Sequence, residues 1–190
     1  MEPVNIVLCG LGGQGILFVT KVLAEASLTK GYRVLGAETH GMAQRGGSVV
    51  SHLRIGEAES SLVRTDSANV VLALEEHEGY RNLPFLGEGA RLYVNARPGR
   101  FPKDEVKAYL EKRGIAYHAT PAGDMAMELG APMSTNLALL GFYSAFEEIP
   151  ATHEELRATI ERITPERFLE ANFRVFDAGY EAASSNGGSS

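Results

Sequence analysis

Cysteine is almost absent from this sequence. Cys9 is the only one among 190 residues, and it lies in an apolar run near the start. One cysteine cannot form a disulfide within the chain, and it cannot supply the ligands of an iron–sulfur cluster or a structural zinc. The sequence therefore excludes a disulfide-stapled domain, and a reducing cytoplasm is the expected setting.

Clustered positive charge and long apolar runs are also missing. The formal net charge is −6, and no run of lysine and arginine exceeds two residues. We therefore expect neither nucleic acid nor an anionic membrane as the main partner. The opening MEPVNIVLCG has no basic segment, and its apolar run is too short to span a bilayer, so we expect a protein that is neither exported nor membrane-embedded.

Groups that make or break bonds are not evident. No serine or cysteine lies in a nucleophile-elbow context, and there is no G-x-x-x-x-G-K-[ST] phosphate loop. The histidines are dispersed without H-x-x-x-H spacing, at positions 40, 52, 77, 118 and 153. Glu75-Glu-His-Glu78 could suggest a metal, but acids in the first turn of a helix explain it more simply. We predict no catalytic residue and no metal site in this chain.

The order of apolar runs predicts an α/β fold. Strands are expected at 4–9, 33–37, 48–55, 70–74, 91–95 and 115–118, and helices at 16–30 and 104–113, with Pro121-Ala-Gly123 as a turn. Strand, glycine turn, helix and strand make a βαβ unit at the start. We predict a single three-layer α/β/α Rossmann-like domain over 1–183, with a mainly parallel sheet of five or six strands and C-terminal helices. Residues 184–190 are small and polar and are expected to form a disordered tail.

The first glycine-rich loop follows the first strand. Gly10, Gly12 and Gly15 satisfy G-x-G-x-x-G, and Glu38 comes 23 residues after Gly15. Glycines let the backbone approach a pyrophosphate, and the following helix offers N–H groups and a favourable dipole. The pattern indicates an anion site without specifying NAD. The residues expected to contact the anion are Gly12, Gly13, Gln14 and Gly15.

A second glycine-rich loop lies within residues 36–56, GAETHGMAQRGGSVVSHLRIG. Arg45, Gly46, Gly47 and Ser48 place a guanidinium beside two glycines and a hydroxyl, and an apolar/polar alternation follows. Such a loop could hold a phosphate or a carboxylate, although a tight hairpin with a solvated arginine would need the same residues. Thr39 and His40 flank this loop and are further candidate contacts.

An unusually apolar helix is predicted over residues 135–146. It has almost no polar face, and a helix that is apolar all round is buried from every side. It is therefore either a central helix or a surface that another chain covers, and the isolated chain could pair with itself there. Asn136, at its start, could cap a nearby helix or contact a ligand.

Three segments together carry a family resemblance: GLGGQG, HGMAQRGGSVVSHLRIG and the late Asn136-Leu-Ala-Leu-Leu-Gly141. Over residues 5–183 the chain resembles the gamma-type subunit of 2-oxoacid:ferredoxin oxidoreductases. The second segment resembles the small subunit of the indolepyruvate-type members in particular. Pyruvate- and 2-oxoglutarate-type members tend to have an acidic or proline-containing segment before the Arg-Gly-Gly, and Met42-Ala-Gln44 departs from that.

The resemblance implies the oxidative decarboxylation of a 2-oxoacid to an acyl-CoA and CO2, with reduction of ferredoxin. It places thiamine diphosphate and [4Fe-4S] clusters on a larger partner subunit, because this chain has no cluster cysteines and no GDG…N motif. Coenzyme A is the co-substrate that this chain would contact, and no tightly bound cofactor is expected in the isolated chain, which we expect to be inactive.

Two other interpretations stay open at this point. A stand-alone NAD-dependent enzyme would rely on Gly10, Gly12, Gly15 and Glu38, although 190 residues leave little room for a substrate domain. A nucleotide-responsive assembly module would need no enzymatic partner. Within the family, specificity for pyruvate, 2-oxoisovalerate or 2-oxoglutarate is the alternative to an arylpyruvate.

Overall fold

The computed structural model describes residues 2–41, 46–147 and 149–186. Its strands are β1 Val4–Leu11, β2 Val34–His40, β3 Ser48–Ile55, β4 Ala68–Ala73, β5 Leu86–Asn95 and β6 Ala116–Thr120. Its α-helices are α1 Ile16–Thr29, α2 Glu76–Arg81, α3 Asp104–Lys112, α4 Ala122–Glu128, α5 Thr135–Ser144, α6 His153–Ile163 and α7 Glu166–Asn186.

The strands form one six-stranded sheet in the order β2-β3-β1-β4-β5-β6. Strand β1 pairs in parallel with β4, β4 with β5, and β5 with β6, whereas β3 is antiparallel to both β1 and β2. Five strands therefore run in one direction and β3 runs against them. The predicted mainly parallel sheet is confirmed.

Successive residues along the central strands serve the two faces of the sheet. Ile6 and Leu8 pack with α1 and the helices α4 to α7, whereas Val7 and Cys9 pack on the opposite face with the residues around α2 and α3. This alternation is the two-residue period of a strand. Because both faces are covered, the continuous apolar run at the start of the chain is explained, and the three-layer α/β/α prediction is confirmed.

The first strand–helix–strand unit differs from the expected one. Strands β1 and β2 are not neighbours, because β3 lies between them and pairs with both. Sequence order could not show this, because a strand joined by a hairpin-like loop to β2 can also occupy the place beside β1.

The apolar helix α5 is the central helix of its layer. Every residue from Asn136 to Ser144 is buried. Helix α7 crosses it so closely that a Cβ added at Gly141 would lie 1.9 Å from the Phe176 carbonyl oxygen, and one at Gly179 would lie 2.0 Å from that of Ala138. Of the two alternatives for this helix, the central helix is the correct one for Leu137 to Ser144, because α7 of the same chain covers them.

Several boundaries also differ from the expectation: β2 continues to His40 rather than 37, and β5 begins at Leu86 rather than 91. Residues 121–123 are not a turn, because Pro121 is the N-cap of α4, a seven-residue helix that the sequence did not predict. Helix α7 continues to Asn186, so the first three residues of the expected tail are helical, and 187–190 lie outside the described residues.

Candidate functional site

The two glycine loops meet at the edge of the sheet where the parallel strands have their carboxyl ends. The Gly12 N–H donates to the Gly47 carbonyl oxygen over 2.8 Å, and a Cβ on Gly12 would lie 3.6 Å from the Gly46 nitrogen. The antiparallel β3 causes this meeting, because it begins at the edge where β1 ends. Ligands bind at this edge in open α/β sheets.

The backbone of the first loop leaves donors at the start of α1. Gly15 is the N-cap, in the left-handed conformation (φ +78°), with no side-chain cap, and the first turn of α1 holds no acidic residue. Gly12 and Gln14 already donate their N–H groups, to Gly47 and Leu11 respectively. Among the described residues, the N–H groups of Gly13 and Gly15 meet no protein acceptor. An uncapped helix start with such donors is suited to an anion.

The Gln14 side chain forms a hydrogen bond within the first glycine loop. Its Oε1 accepts a 2.7 Å hydrogen bond from the Leu11 N–H and lies 2.6 Å from where a Cβ on Gly10 would be. The side chain therefore folds back over Gly10 and fixes the turn. Gly13 has φ +96° and nothing within 4 Å of its Cβ position, so at Gly13 the loop is open.

Asn136 lies next to the N-cap of α1. Its Nδ2 donates to the Gly15 carbonyl oxygen over 3.1 Å, and its Oδ1 accepts from the Leu137 N–H. A Cβ on Gly15 would be 2.5 Å from that Nδ2. The side chain, buried at the start of α5, thus ties this helix to the first glycine loop.

The second loop is closed by a short bond and held by a buried carboxylate. The Gly41 N–H donates to the Ser48 carbonyl oxygen over 2.7 Å, and the Ser48 hydroxyl donates to Glu78 Oε2 over 2.6 Å. Glu78 is only 3% exposed, and its Oε1 lies 3.0 Å from Arg81. The hydroxyl proton of Ser48, a predicted ligand contact, is therefore already used within the protein.

Glu78 is the residue that the sequence interpretation missed. The acids after β4 were attributed to the helix dipole, which suits Glu75, because its side chain accepts from the Glu78 N–H as the N-cap of α2. Glu78 is buried instead and binds Ser48, which is 30 residues away in the sequence, so this pairing is evident only from the fold. No group of three or more metal-binding side chains occurs within the described ranges.

The flanking candidates lie further out. Thr39 and His40 end β2 at the exposed edge of the sheet, and the His40 Nε2 is 3.4 Å from Glu38. His40 pairs with Val49, which in turn pairs with Gly10. Thr39 and His40 therefore lie about 10 Å, or two strand spacings, from β1. Arg45 falls outside the described residues, as does the Met42-Ala-Gln44 departure.

The NAD interpretation loses its geometric support. In a dinucleotide-binding fold the acidic residue ends the strand next to the first one. Here Glu38 is on β2, and β3 separates β2 from β1.

The one cysteine is also unsuited to binding a metal or a cluster, because Cys9 is fully buried and its burial raises the pKa of the thiol.

The fold and the paired glycine loops define the class of protein: a Rossmann-like α/β domain with a glycine-rich edge. Residues 5–182 match the family described as pyruvate ferredoxin/flavodoxin oxidoreductase. The chain therefore belongs to that family, as the resemblance implied.

Relatives match along almost the whole chain. It is 35% identical to indolepyruvate oxidoreductase subunit IorB of Methanothermobacter thermautotrophicus, covering 94% of this chain and 97% of the relative. The IorB subunit of Thermococcus kodakarensis is also 35% identical, with 96% and 97% covered. The 2-oxoglutarate synthase subunit KorC of Methanothermobacter marburgensis is 26% identical, with 93% and 95% covered.

Solved structures share the fold. The keto/oxoacid ferredoxin oxidoreductase gamma subunit of Geobacter sulfurreducens aligns with a TM-score of 0.75 at 22% identity, covering 96% of this chain and 99% of that one. The 2-oxoglutarate:ferredoxin oxidoreductase of Magnetococcus marinus, solved with 2-oxoglutarate, coenzyme A and succinyl-CoA, aligns with a TM-score of 0.78 at 22% identity. That match covers 97% of this chain but 32% of the longer one. Within the described part of this chain, no helix combines the length and apolar character needed to cross a bilayer.

Proposed function

We propose that this chain is the small subunit of an arylpyruvate (indolepyruvate-type) ferredoxin oxidoreductase, and that its glycine loops hold phosphate groups of coenzyme A. The observation that carries the coenzyme A proposal is the Gly12–Gly47 hydrogen bond, which joins both loops beside the uncapped start of α1. The substrate class rests on relatives: four subunits named for indolepyruvate are 32–35% identical, against 25–27% for those named for 2-oxoglutarate and ketoisovalerate.

The chemistry at the oxoacid belongs to a larger partner subunit on this proposal. Thiamine diphosphate and [4Fe-4S] clusters on that partner supply decarboxylation and electron transfer to ferredoxin. This chain binds and orients the acyl acceptor. The N–H groups of Gly13 and Gly15 and the dipole of α1 attract phosphate, and the Gly12 N–H joins the two loops through its hydrogen bond to Gly47.

The proposed contact residues differ in whether their donor groups are already used within the protein. Gly13 and Gly15 have available donors, and Gly46 is a neighbour of Gly12, as described above. Ser48 and Asn136 donate within the protein and shape the loops, and Gln14 fixes the first loop through its Oε1. Arg45, whose place rests on the sequence alone, is proposed as the charged contact to phosphate. Thr39 and His40 are proposed as outer contacts.

The first test identifies the complex. The tagged chain is purified from its own cells and assayed for iron, thiamine diphosphate and a larger companion chain. Ferredoxin reduction is then compared for indolepyruvate, phenylpyruvate, pyruvate, 2-oxoisovalerate and 2-oxoglutarate. We expect the aryl substrates to be preferred. A lone chain that binds NADH, with binding lost in Glu38→Ala, would contradict the proposal.

The second test addresses the loops. Arg45→Ala in the assembled complex should raise the KM for coenzyme A about tenfold, because a charge-assisted bond to phosphate is lost. The KM for the oxoacid should be unchanged. Arg33→Ala is the matched control. Arg33 is exposed, pairs with Glu57 and precedes β2, so it lies at the edge of the sheet opposite to the glycine loops. Equal effects of both variants would remove the coenzyme A role from the second loop.

A further inference from the structure

A Pro-Gly turn after β5 brings two arginines together. The Arg100 N–H donates to the Arg97 carbonyl oxygen over 3.1 Å, and Gly99 has φ +81°. Proline at the second position and a positive-φ glycine at the third define a type II β-turn, whose first and last Cα atoms lie within about 7 Å. Arg97 and Arg100 hold those outer positions. The turn therefore presents two guanidinium groups from one short segment.

The turn is anchored to the body of the domain. Phe101, which follows Arg100, is buried, and its ring centroid is 5.1 Å from that of Tyr80 on α2. The Tyr80 hydroxyl accepts from the Lys103 N–H over 2.9 Å. Because Phe101 and Lys103 are both held, the segment carrying the arginines has a defined position against α2.

The turn borders a cavity of about 320 Å³. Arg97, Arg100 and Asn95 line it together with two acids, Glu76 and Asp124. Arg97 is paired with Asp124 at 3.2 Å, but both side chains are largely exposed, and such a pair contributes little. In the described ranges, Arg100 has no carboxylate within 4 Å. The Arg100 guanidinium is thus available, and the Arg97 guanidinium can exchange Asp124 for another anion.

The cavity opens at the same edge as the glycine loops. Asn95 Nδ2 donates to the Leu74 carbonyl oxygen over 3.1 Å, and Leu74 Cβ lies 3.1 Å from the Cβ position of Gly10. The sheet order at this edge is β1-β4-β5, so the end of β5 is about 10 Å from the first loop. The glycine loops and the arginine turn therefore border one continuous edge.

We infer that Arg97 and Arg100 form a second phosphate subsite, for the 3′-phosphate of coenzyme A. The inference rests on the proposed function. Coenzyme A carries a pyrophosphate and, across one ribose, a phosphomonoester, so one ligand presents two anionic groups at separate places. Guanidinium forks match a phosphomonoester. The subsite selects coenzyme A against dinucleotides that lack the 3′-phosphate.

The test compares coenzyme A with 3′-dephospho-coenzyme A in the assembled complex. We expect the unmodified complex to show a KM for coenzyme A about tenfold lower than for the dephospho compound. Arg100→Ala should reduce this difference by raising the KM for coenzyme A alone, and the double variant Arg97→Ala/Arg100→Ala should abolish it. Asp124→Asn should lower that KM, because it releases Arg97. Arg33→Ala is the control for the loss of one positive charge, and unchanged thermal midpoints exclude misfolding.

The outcomes separate the two proposals. If Arg45→Ala weakens both compounds while Arg100→Ala changes neither, the subsite is overturned and the proposed function stands. Equal KM values for the two compounds in the unmodified complex overturn the subsite as well. If neither compound supports turnover, the coenzyme A function itself fails, and the subsite fails with it.

Discussion

Ser48 donates a 2.6 Å hydrogen bond to the buried carboxylate of Glu78, which connects the start of β3 to α2 on the other side of the first loop. A bond to a charged acceptor is stronger than a neutral one, and a buried carboxylate that loses its donor keeps its desolvation cost. The second glycine loop is therefore held in place by a hydrogen bond to a buried residue of α2.

We predict that Ser48→Ala lowers the free energy of unfolding by about 1–3 kcal/mol, because Glu78 loses a donor where water does not reach. Urea denaturation of the full chain measures this. Glu78→Gln keeps an acceptor for Ser48 but loses the charge that faces Arg81, so it should cost less than Glu78→Ala. Ser60→Ala is the control, since the exposed Ser60 hydroxyl accepts from Arg54 at the surface, and a cost of more than about 0.5 kcal/mol there would contradict the prediction.

A substitution at Gly15 should be more harmful than its backbone conformation alone explains. Gly15 and Gly31 have nearly equal φ values, +78° and +79°, but only Gly15 has a neighbour, Asn136, at its Cβ position. Gly31→Ala should cost about 1–2 kcal/mol from the left-handed conformation. Gly15→Ala should cost more, and Asn136→Ala should recover part of the excess in a double-mutant cycle. Purely additive effects would show that the predicted clash is absent.

The α5–α7 crossing should not tolerate even one methyl group. Gly141→Ala would place its Cβ 1.9 Å from the Phe176 carbonyl oxygen, and a backbone atom cannot move aside alone. We expect a loss of about 3 kcal/mol or more, measured by thermal or urea unfolding. Gly123→Ala in α4 is the comparison, because its nearest neighbour, Asn95 Nδ2, is 3.6 Å away. Similar losses at both sites would argue against the close crossing.

Stability should fall as the pH drops from 7 to 5. Burial lowers the pKa of His118, helped by the charge of Arg91, and burial lowers the pKa of His52. Below about pH 6.5 the two histidines are protonated in the unfolded chain but stay neutral in the folded chain, so acid favours unfolding. The free energy of unfolding should fall by at most about 1.4 kcal/mol per pH unit for each histidine. His118→Gln should flatten the slope, and His77→Gln, at an exposed position of α2, should leave it unchanged. An equal slope in all three proteins would contradict this.

The sequence predicted what depends on local pattern. The apolar run at 4–9 and the helix pattern at 16–30 placed a strand and a helix correctly, because each signal lies within one short segment. Both glycine loops were recognised for the same reason. The position of β3 between β1 and β2, and the bond from Ser48 to Glu78, depend on pairings between distant segments. Residue type and spacing carry no record of such pairings.

Helix α5 shows the same limit from another side. Its apolar sequence correctly predicted burial but could not name what buries it, because a cover of the same chain and a cover from another subunit leave the same pattern. The glycines at 141 and 179 are the signal that could have decided, since two small residues on different helices permit a close crossing. Their pairing only becomes evident once the helices are placed.

The place of β1 bears on how the chain folds during synthesis. Both neighbours of β1 come much later in the sequence: Val7 pairs with His52 on β3 and with Val71 on β4. The antiparallel β1–β3 pairing needs the chain up to Ile55, and the parallel β1–β4 pairing must wait until more than seventy residues are available. Nonlocal pairing of this kind is slow. Helix α5 waits longer, because α7 covers it last. A nascent chain that stalled before Glu166 would leave the α7-facing side of this apolar helix exposed and prone to aggregation.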